Sequence, residues 1–184
     1  MQDVISSSEE RMKKTVASLK EGFTSLRTGR ASASLFDKIR VDYYGEKSPL
    51  NQVANISVPE ARLIVIQPWD KNLIAEIEKA IRSSELSLNP SNDGKVIRIA
   101  IPPLTEERRK ELVKIAKNQT EQSRVAVRNI RRDGNEELKK LLKDASITED
   151  DESRDSADLQ KLTDSYITRV NQVLEEKEKE ILEN

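Results

Sequence analysis

Residues 103–143 read PLTEERRKELVKIAKNQTEQSRVAVRNIRRDGNEELKKLLK, and this stretch decides the fold. No proline follows Pro103, the one glycine is Gly134, and good helix formers fill most of the rest. Thr105 is placed to cap the start. Glu106 and Glu107 then put negative charge in the first turn, where the helix dipole favours it. One helix from Thr105 to Lys143 would run about 58 Å at 1.5 Å per residue. That is too long for a compact single-core domain, so the stretch predicts the spine of an elongated bundle.

At about 100° per residue the spine separates into two faces. Leu112, Ala116, Gln119, Ser123, Ala126, Val127, Ile130, Leu138 and Leu141 form a seam at alternating three- and four-residue steps. Lys117, Arg124, Arg128 and Arg131 share an arc a quarter-turn away, with Arg132 at its edge. A solvated charged face is the ordinary reading of such an arc. Two features favour a phosphate-binding one. No Asp or Glu stands four residues from Arg128, and the cations around it are arginines, whose planar fork suits bidentate phosphate contacts.

Working outward, residues 1–28 predict a first helix on the spacing of Ile5, Met12, Val16, Leu19, Phe23 and Leu26, with Gly29 as a left-handed C-cap. From Leu35 the period changes to two. Phe36–Tyr44 reads as a strand followed by turn residues Gly45–Pro49, and 52–58 and 62–67 as two more strands, the last apolar enough to be central. Trp69 at the next corner is expected in the core, with a surface stacking role as the alternative. Of Tyr43 and Tyr44, one is expected buried and one partly exposed. Asp70 caps a short helix ending near Ser83, Leu88–Gly94 reads as a loop, and Lys95–Ile101 as a last strand. Residues 31–104 are thus an α+β unit inserted between long helices 1–30 and 105–184. The joints are Gly29, Arg30, Ala31 and Ser32 on one side and Pro102, Pro103 and Leu104 on the other, two adjacent crossings that make a hinge. Beyond the spine, Thr148 caps a third helix with an acidic first turn, and Leu159, Leu162, Tyr166, Val170, Val173, Leu174, Ile181 and Leu182 continue the seam. The three helices are expected to pack as an antiparallel bundle.

Composition excludes more chemistry than it suggests. The 184 residues contain no histidine and no cysteine, which removes the commonest general base, the commonest transition-metal ligand and all thiol chemistry. Carboxylate pairs lie beside Lys or Arg on exposed helical faces, and there is no phosphate-cradling glycine loop or nucleophile elbow. The reading is therefore no enzyme, no cofactor and no metal. The first ten residues, MQDVISSSEE, lack the apolar core of a signal peptide, and no apolar run approaches the roughly 20 residues of a membrane span, so a cytoplasmic, membrane-free life is expected. The net charge of −1 hides a division: residues 105–145 hold 12 basic and 8 acidic side chains, residues 146–184 hold 5 and 12. A basic spine lies beside an acidic arm that can attract it while the arginine arc stays outside. Arg27 and Arg30 at the joint, and Arg108 and Arg109 at the spine's start, join the arc as phosphate-directed candidates. A protein-interaction scaffold without RNA binding is the competing reading.

Six blocks then point to a family. LRTGRAS at 26–32, VDYYG at 41–45, LNPSNDG at 88–94, PPLTEERRKEL at 102–112, VAVRNIRRD at 125–133 and KLTD at 161–164 resemble, in order, the signature blocks of bacterial ribosome recycling factors. The resemblance implies a three-helix bundle with a smaller βαβ-type domain hinged at one end, an L shape close to that of transfer RNA. It also implies a monomeric, non-enzymatic factor. Such a factor binds the large ribosomal subunit of a post-termination complex and its 23S ribosomal RNA. With elongation factor G and that factor's GTP hydrolysis, it separates the subunits for reuse. Carried onto this chain, Arg128, Arg131 and Arg132 correspond to ribosomal RNA contacts on the bundle. Arg27, Gly29 and Arg30 correspond to the end that approaches the peptidyl-transferase region. The small domain is the part that the elongation factor pushes. Gly134 departs from the pattern, where alanine is expected; at roughly 1 kcal/mol it should soften the spine without breaking it.

Overall fold

The computed structural model describes residues 2–26 and 28–183, with the side chains of residues 2 and 3 outside the description. In chain order the elements are α1 (Gln2–Thr24), β1 (Arg40–Tyr43), β2 (Glu46–Pro49), α2 (Leu50–Val53), β3 (Ala54–Glu60), β4 (Leu63–Pro68), α3 (Ile74–Arg82), β5 (Pro90–Asn92), β6 (Ile97–Ala100), α4 (Glu106–Lys143) and α5 (Glu149–Leu182). They pack as two compact units, Met1–Thr28 with Thr105–Glu183, and Gly29–Leu104.

The first unit is a bundle of α1, α4 and α5. Thr105 Oγ1 accepts from Arg108 N and opens α4, an unbroken helix of 38 residues and so about 57 Å long. Thr148 and Asp151 form a reciprocal capping box that opens α5 beneath four acidic first-turn residues. Direction follows from cross-helix contacts. Arg11 meets Asp133 and Gly22 lies against Gln119, so α1 and α4 are antiparallel. Tyr166 Oη donates to Glu9 and Thr28 Oγ1 donates to Glu180, so α1 and α5 run the same way. The core joins Met12, Val16, Leu19 and Phe23 to Ala116, Val127, Ile130, Leu159, Tyr166 and Val170.

In the bundle several details differ from the sequence reading. Helix α1 ends at Thr24, not 28: Thr24 Oγ1 and Ser25 Oγ donate to the carbonyls of Glu21 and Gly22, so hydroxyls take the end of the helix and Gly29 is not its C-cap. Along the seam, Gln119, Ser123, Ala126 and Leu141 are only half-buried, while Thr120 and Gly134 are buried. Thr120 enters the core because its hydroxyl donates to the Ala116 carbonyl of its own helix, leaving a β-branched apolar face outward from the axis. Leu182 is 60% exposed, beyond the last core residue Ile181.

In the second unit a four-stranded sheet of order β3-β4-β6-β5 has β4 inside it, as its apolar run implies. Strands β4 and β5 are each antiparallel to β6, hence parallel to one another, and α3 joins them. This is a βαβ crossing with β6 laid between its strands. Ile74, Ile77 and Ile81 of α3 pack with Ile64, Ile66, Ile97 and Ile99 of the sheet. Of the segment read as turn, 45–49, Gly45 is a turn residue but Glu46–Pro49 form β2, which pairs with β1 through a two-residue turn at Tyr44 and Gly45, both at positive φ (49° and 85°). Tyr43 is the half-buried partner and Tyr44 is 84% exposed, their rings meeting edge-on. Strand β3 begins at Ala54, after the single turn α2. Residues 90–92, read as loop, add an edge strand that begins at a proline, where a missing N–H costs no ladder bond. Trp69 is 71% exposed rather than core. Ile64, Ile66 and Pro68 are the inward parity of β4, and Trp69 continues the other one.

Candidate nucleic-acid interface

On α4 the basic residues Lys117, Arg124, Arg128 and Arg131 lie along the flank that meets α5. Lys117 Nζ is 3.8 Å from Glu178 Oε1. Arg124 is held most firmly: Nε donates to Asn171 Oδ1 at 2.9 Å, Nη1 pairs with Glu121 at 2.8 Å, and its side chain is 23% exposed. Arg128 reaches the same Glu121, two turns back, at 3.7 Å with 48% exposure. The absence of an acid four residues away therefore did not leave Arg128 without a carboxylate. At that distance and exposure the pair is weak, worth at most about 1 kcal/mol.

Arg131 donates to a neutral partner, Gln160 Oε1, at 3.1 Å, and Gln160 in turn donates to Asp164. Arg132 is exposed, and neither it nor Arg131 carries an ion pair among the described residues. Internal neutralisation thus falls along the helix, from Arg124 to Arg132. The last three arginines present guanidinium forks able to take phosphate oxygens in pairs, in an environment that does not cancel their charge. Gln160 and Asn171 of α5, three helical turns apart, organise the ridge. Sequence reasoning passed over both because neutral amides carry no charge signal.

The other candidates are placed less uniformly. Arg27 lies outside the described residues. Arg30 is exposed in the small unit, whereas Arg109 is half-buried in the bundle with its Nε buried and without a hydrogen-bond partner. Arg108 pairs with Glu111 at 2.9 Å. At the joints, Gly29 has φ +77° and is buried; a Cβ there would stand 3.1 Å from Leu104 Cγ, so the two crossings run side by side. Ala31 N donates to Ala61 O at 2.7 Å, and Ser32 accepts from Ser34 N to open a 3-10 turn. Ile101 N donates to Arg62 O at 2.8 Å, while Pro102 and Pro103 are exposed and Leu104 half-buried. Ala31 and Ser32 are therefore tied into the small unit.

A family model described as "Ribosome recycling factor" matches residues 19–182 of the chain. The chain belongs to the ribosome recycling factor family. The ribosome-recycling factor of Treponema denticola is 65% identical over 184 residues, covering 100% of both chains. That of Oleidesulfovibrio alaskensis is 58% identical over 183 residues, again covering 100% of each. A solution structure of a ribosome recycling factor, 49% identical, superposes with a TM-score of 0.76 over 100% of this chain and 97% of that one. A second solved neighbour gives models for the T. thermophilus ribosome recycling factor and the E. coli elongation factor G bound to the E. coli post-termination complex. It is 46% identical with a TM-score of 0.62 over 98% of each chain. For this family member no described helix is long and apolar enough to cross a membrane.

Proposed function

We propose that this chain binds the large ribosomal subunit of post-termination complexes through arginine contacts to 23S ribosomal RNA phosphates. With elongation factor G and its GTP hydrolysis, it then promotes separation of the subunits from one another and from messenger RNA in the cytoplasm. Family membership supports the recycling role, and the T. thermophilus relative bound with elongation factor G to a post-termination complex supports the partners. The observation that carries the RNA reading is the ridge at Arg128, Arg131 and Arg132, where one weak carboxylate contact is all that neutralises three guanidinium groups among the described residues. Each phosphate contact would release condensed counterions, which makes the attraction strong and salt-dependent.

Mechanically, the bundle is the anchor and the small unit the lever. An unbroken helix about 57 Å long, capped at its start, resists bending. The two single-chain crossings at 29–30 and 102–104 are the hinge about which the lever turns, Ala31 and Ser32 moving with the small unit. The chain's part in this is binding and force transmission, without catalysis or cofactor of its own.

Light scattering of post-termination ribosomes mixed with the protein, elongation factor G and GTP tests the proposal. The wild type should produce a fall in scattering as subunits part. Arg131→Ala/Arg132→Ala should abolish it at concentrations where the wild type saturates. Full splitting by that folded variant would refute the arginine reading.

A further inference from the structure

Between Ile115 and Asn129 every charged residue of α4, namely Lys117, Glu121, Arg124 and Arg128, lies on the ridge side. The rest of the exposed face is Ile115, Asn118, Gln122, Val125 and Asn129, at alternating three- and four-residue steps. Val125 is 47% exposed and Ile115 38%. In a chain with 35% charged residues, a solvated helical face four turns long would be expected to carry charge. This strip has none, yet it offers three amide side chains. On its far edge lies an open groove of about 530 Å³ between α1 and α4, where Ser18, Gly22, Ser123 and Ala126 keep the walls low. At its floor Gln119, half-buried against Gly22, holds Oε1 without a hydrogen-bond donor.

We infer that this uncharged strip seats the ribose edge of an RNA helix whose phosphates the adjoining ridge holds. The inference rests on the RNA reading above and adds a second kind of contact to it. The minor groove of A-form RNA is wide and shallow, and its surface is ribose 2′-hydroxyls and base edges, neutral groups that both donate and accept. Asn118, Gln122 and Asn129 match them with paired donors and acceptors, and a Gln119 turned outward accepts from a hydroxyl. Charge decides between RNA and a protein occupant. The strip's C-terminal end adjoins the least neutralised arginines of the ridge, Arg128, Arg131 and Arg132, so a partner lying across both must present anionic and neutral polar groups side by side. Phosphate and ribose alternate in that way along every RNA strand.

The test separates the two kinds of contact through salt. Purified large ribosomal subunits are titrated with the full-length wild type, Gln122→Ala/Asn129→Ala, Val125→Glu and Arg131→Ala at several salt concentrations, with circular dichroism confirming the fold. The amide double variant should bind roughly tenfold more weakly, the loss of two ordinary hydrogen bonds, with an unchanged salt slope. Val125→Glu should weaken binding at least as much. Arg131→Ala should lower the slope by about one. If the amide variant binds as the wild type does while Arg131→Ala is weakened, the strip is overturned and the ridge stands. A reduced salt slope in the amide variant also overturns it. Normal subunit binding with lost splitting would assign the strip to a protein contact and overturn the RNA inference. Absence of wild-type binding would overturn both readings.

Discussion

A Cβ built on Gly134 would stand 2.7 Å from Leu159 Cδ2 and 3.1 Å from Ser8 Oγ. The glycine that weakens α4 on propensity is a point where side chains of both α1 and α5 press on it. Leu159 is fully buried and Ser8 is 5% exposed, so neither has open space to move into. An exposed helical Gly→Ala change would stabilise by up to about 1 kcal/mol. Here the added methyl forces repacking, which costs about 1–3 kcal/mol. Gly134→Ala should therefore lower stability by about 1 kcal/mol in chemical denaturation, and Gly134→Ala/Leu159→Val should recover most of the loss. A more stable single variant would show that the contact relaxes freely.

The same position shows where sequence reading stopped. A helix of 38 residues, its Thr105 cap, the central place of β4 and the arginine arc were all legible, because each depends on periodicity or charge along one stretch. Gly134 was read as softness because a close approach between helices depends on residues over a hundred positions apart in sequence, such as Ser8. Trp69 was misplaced for a related reason: hydrophobic size suggested core, while the parity of β4, fixed by Ile64 and Ile66, points it to solvent. Glu121 reaching Arg128 two turns away is a rotamer outcome, and spacing rules tuned to one turn do not anticipate it.

Trp69 gives a direct check on that placement. It is the chain's one tryptophan and is 71% exposed. Its fluorescence should be quenched readily by a neutral quencher in the native state and change little on unfolding. Trp69→Ala should alter stability by no more than about 0.5 kcal/mol. A strongly shielded indole would contradict the outward parity of the β4 end.

Along the ridge the loss should be graded. Arg124 is bound to Asn171 and Glu121, so Arg124→Ala removes a brace between α4 and α5 as well as a charge. Arg132→Ala removes only an outward charge. Arg132→Ala should leave the unfolding midpoint unchanged and weaken large-subunit binding by about tenfold or more, the value of a charge-assisted hydrogen bond. Arg124→Ala should lower the midpoint as well. Equal effects of the two on both measurements would contradict the gradient in neutralisation.

Acid should act on the small unit through Asp93. Its Oδ1 accepts from the backbone N–H groups of Lys95 and Val96 and its Oδ2 from Arg98. The Val96 N–H first, then the Arg98 side chain and the Lys95 N–H, hold this carboxyl far below its ordinary value of 3.8. For a group whose folded pKa is depressed, the stabilisation is fully present above the ordinary carboxylate pKa and is lost as pH falls toward the folded one. Asp93→Ala should therefore be less stable than the wild type at neutral pH, and the gap should narrow as pH falls below about 4. Denaturant midpoints measured from pH 7 to pH 2 check this. A gap independent of pH would mean that the carboxylate charge contributes nothing to the turn.

Gly29 is the joint residue whose left-handed backbone favours glycine. At φ +77° an alanine would cost about 1 kcal/mol in conformation, and its Cβ would stand 3.1 Å from Leu104 Cγ. Strain at that point acts on the bonds that tie the crossing to the small unit, above all Ala31 N to Ala61 O at 2.7 Å. Gly29→Ala should speed hydrogen exchange at the Ala31 amide by roughly fivefold per kcal/mol of local destabilisation while leaving the bundle amides of α4 unchanged. Adding Leu104→Ala should relieve the steric part and leave the conformational part, so exchange should slow but not return to the wild-type rate. If Gly29→Ala left the Ala31 amide as protected as before, the positive φ would not be a requirement of the crossing.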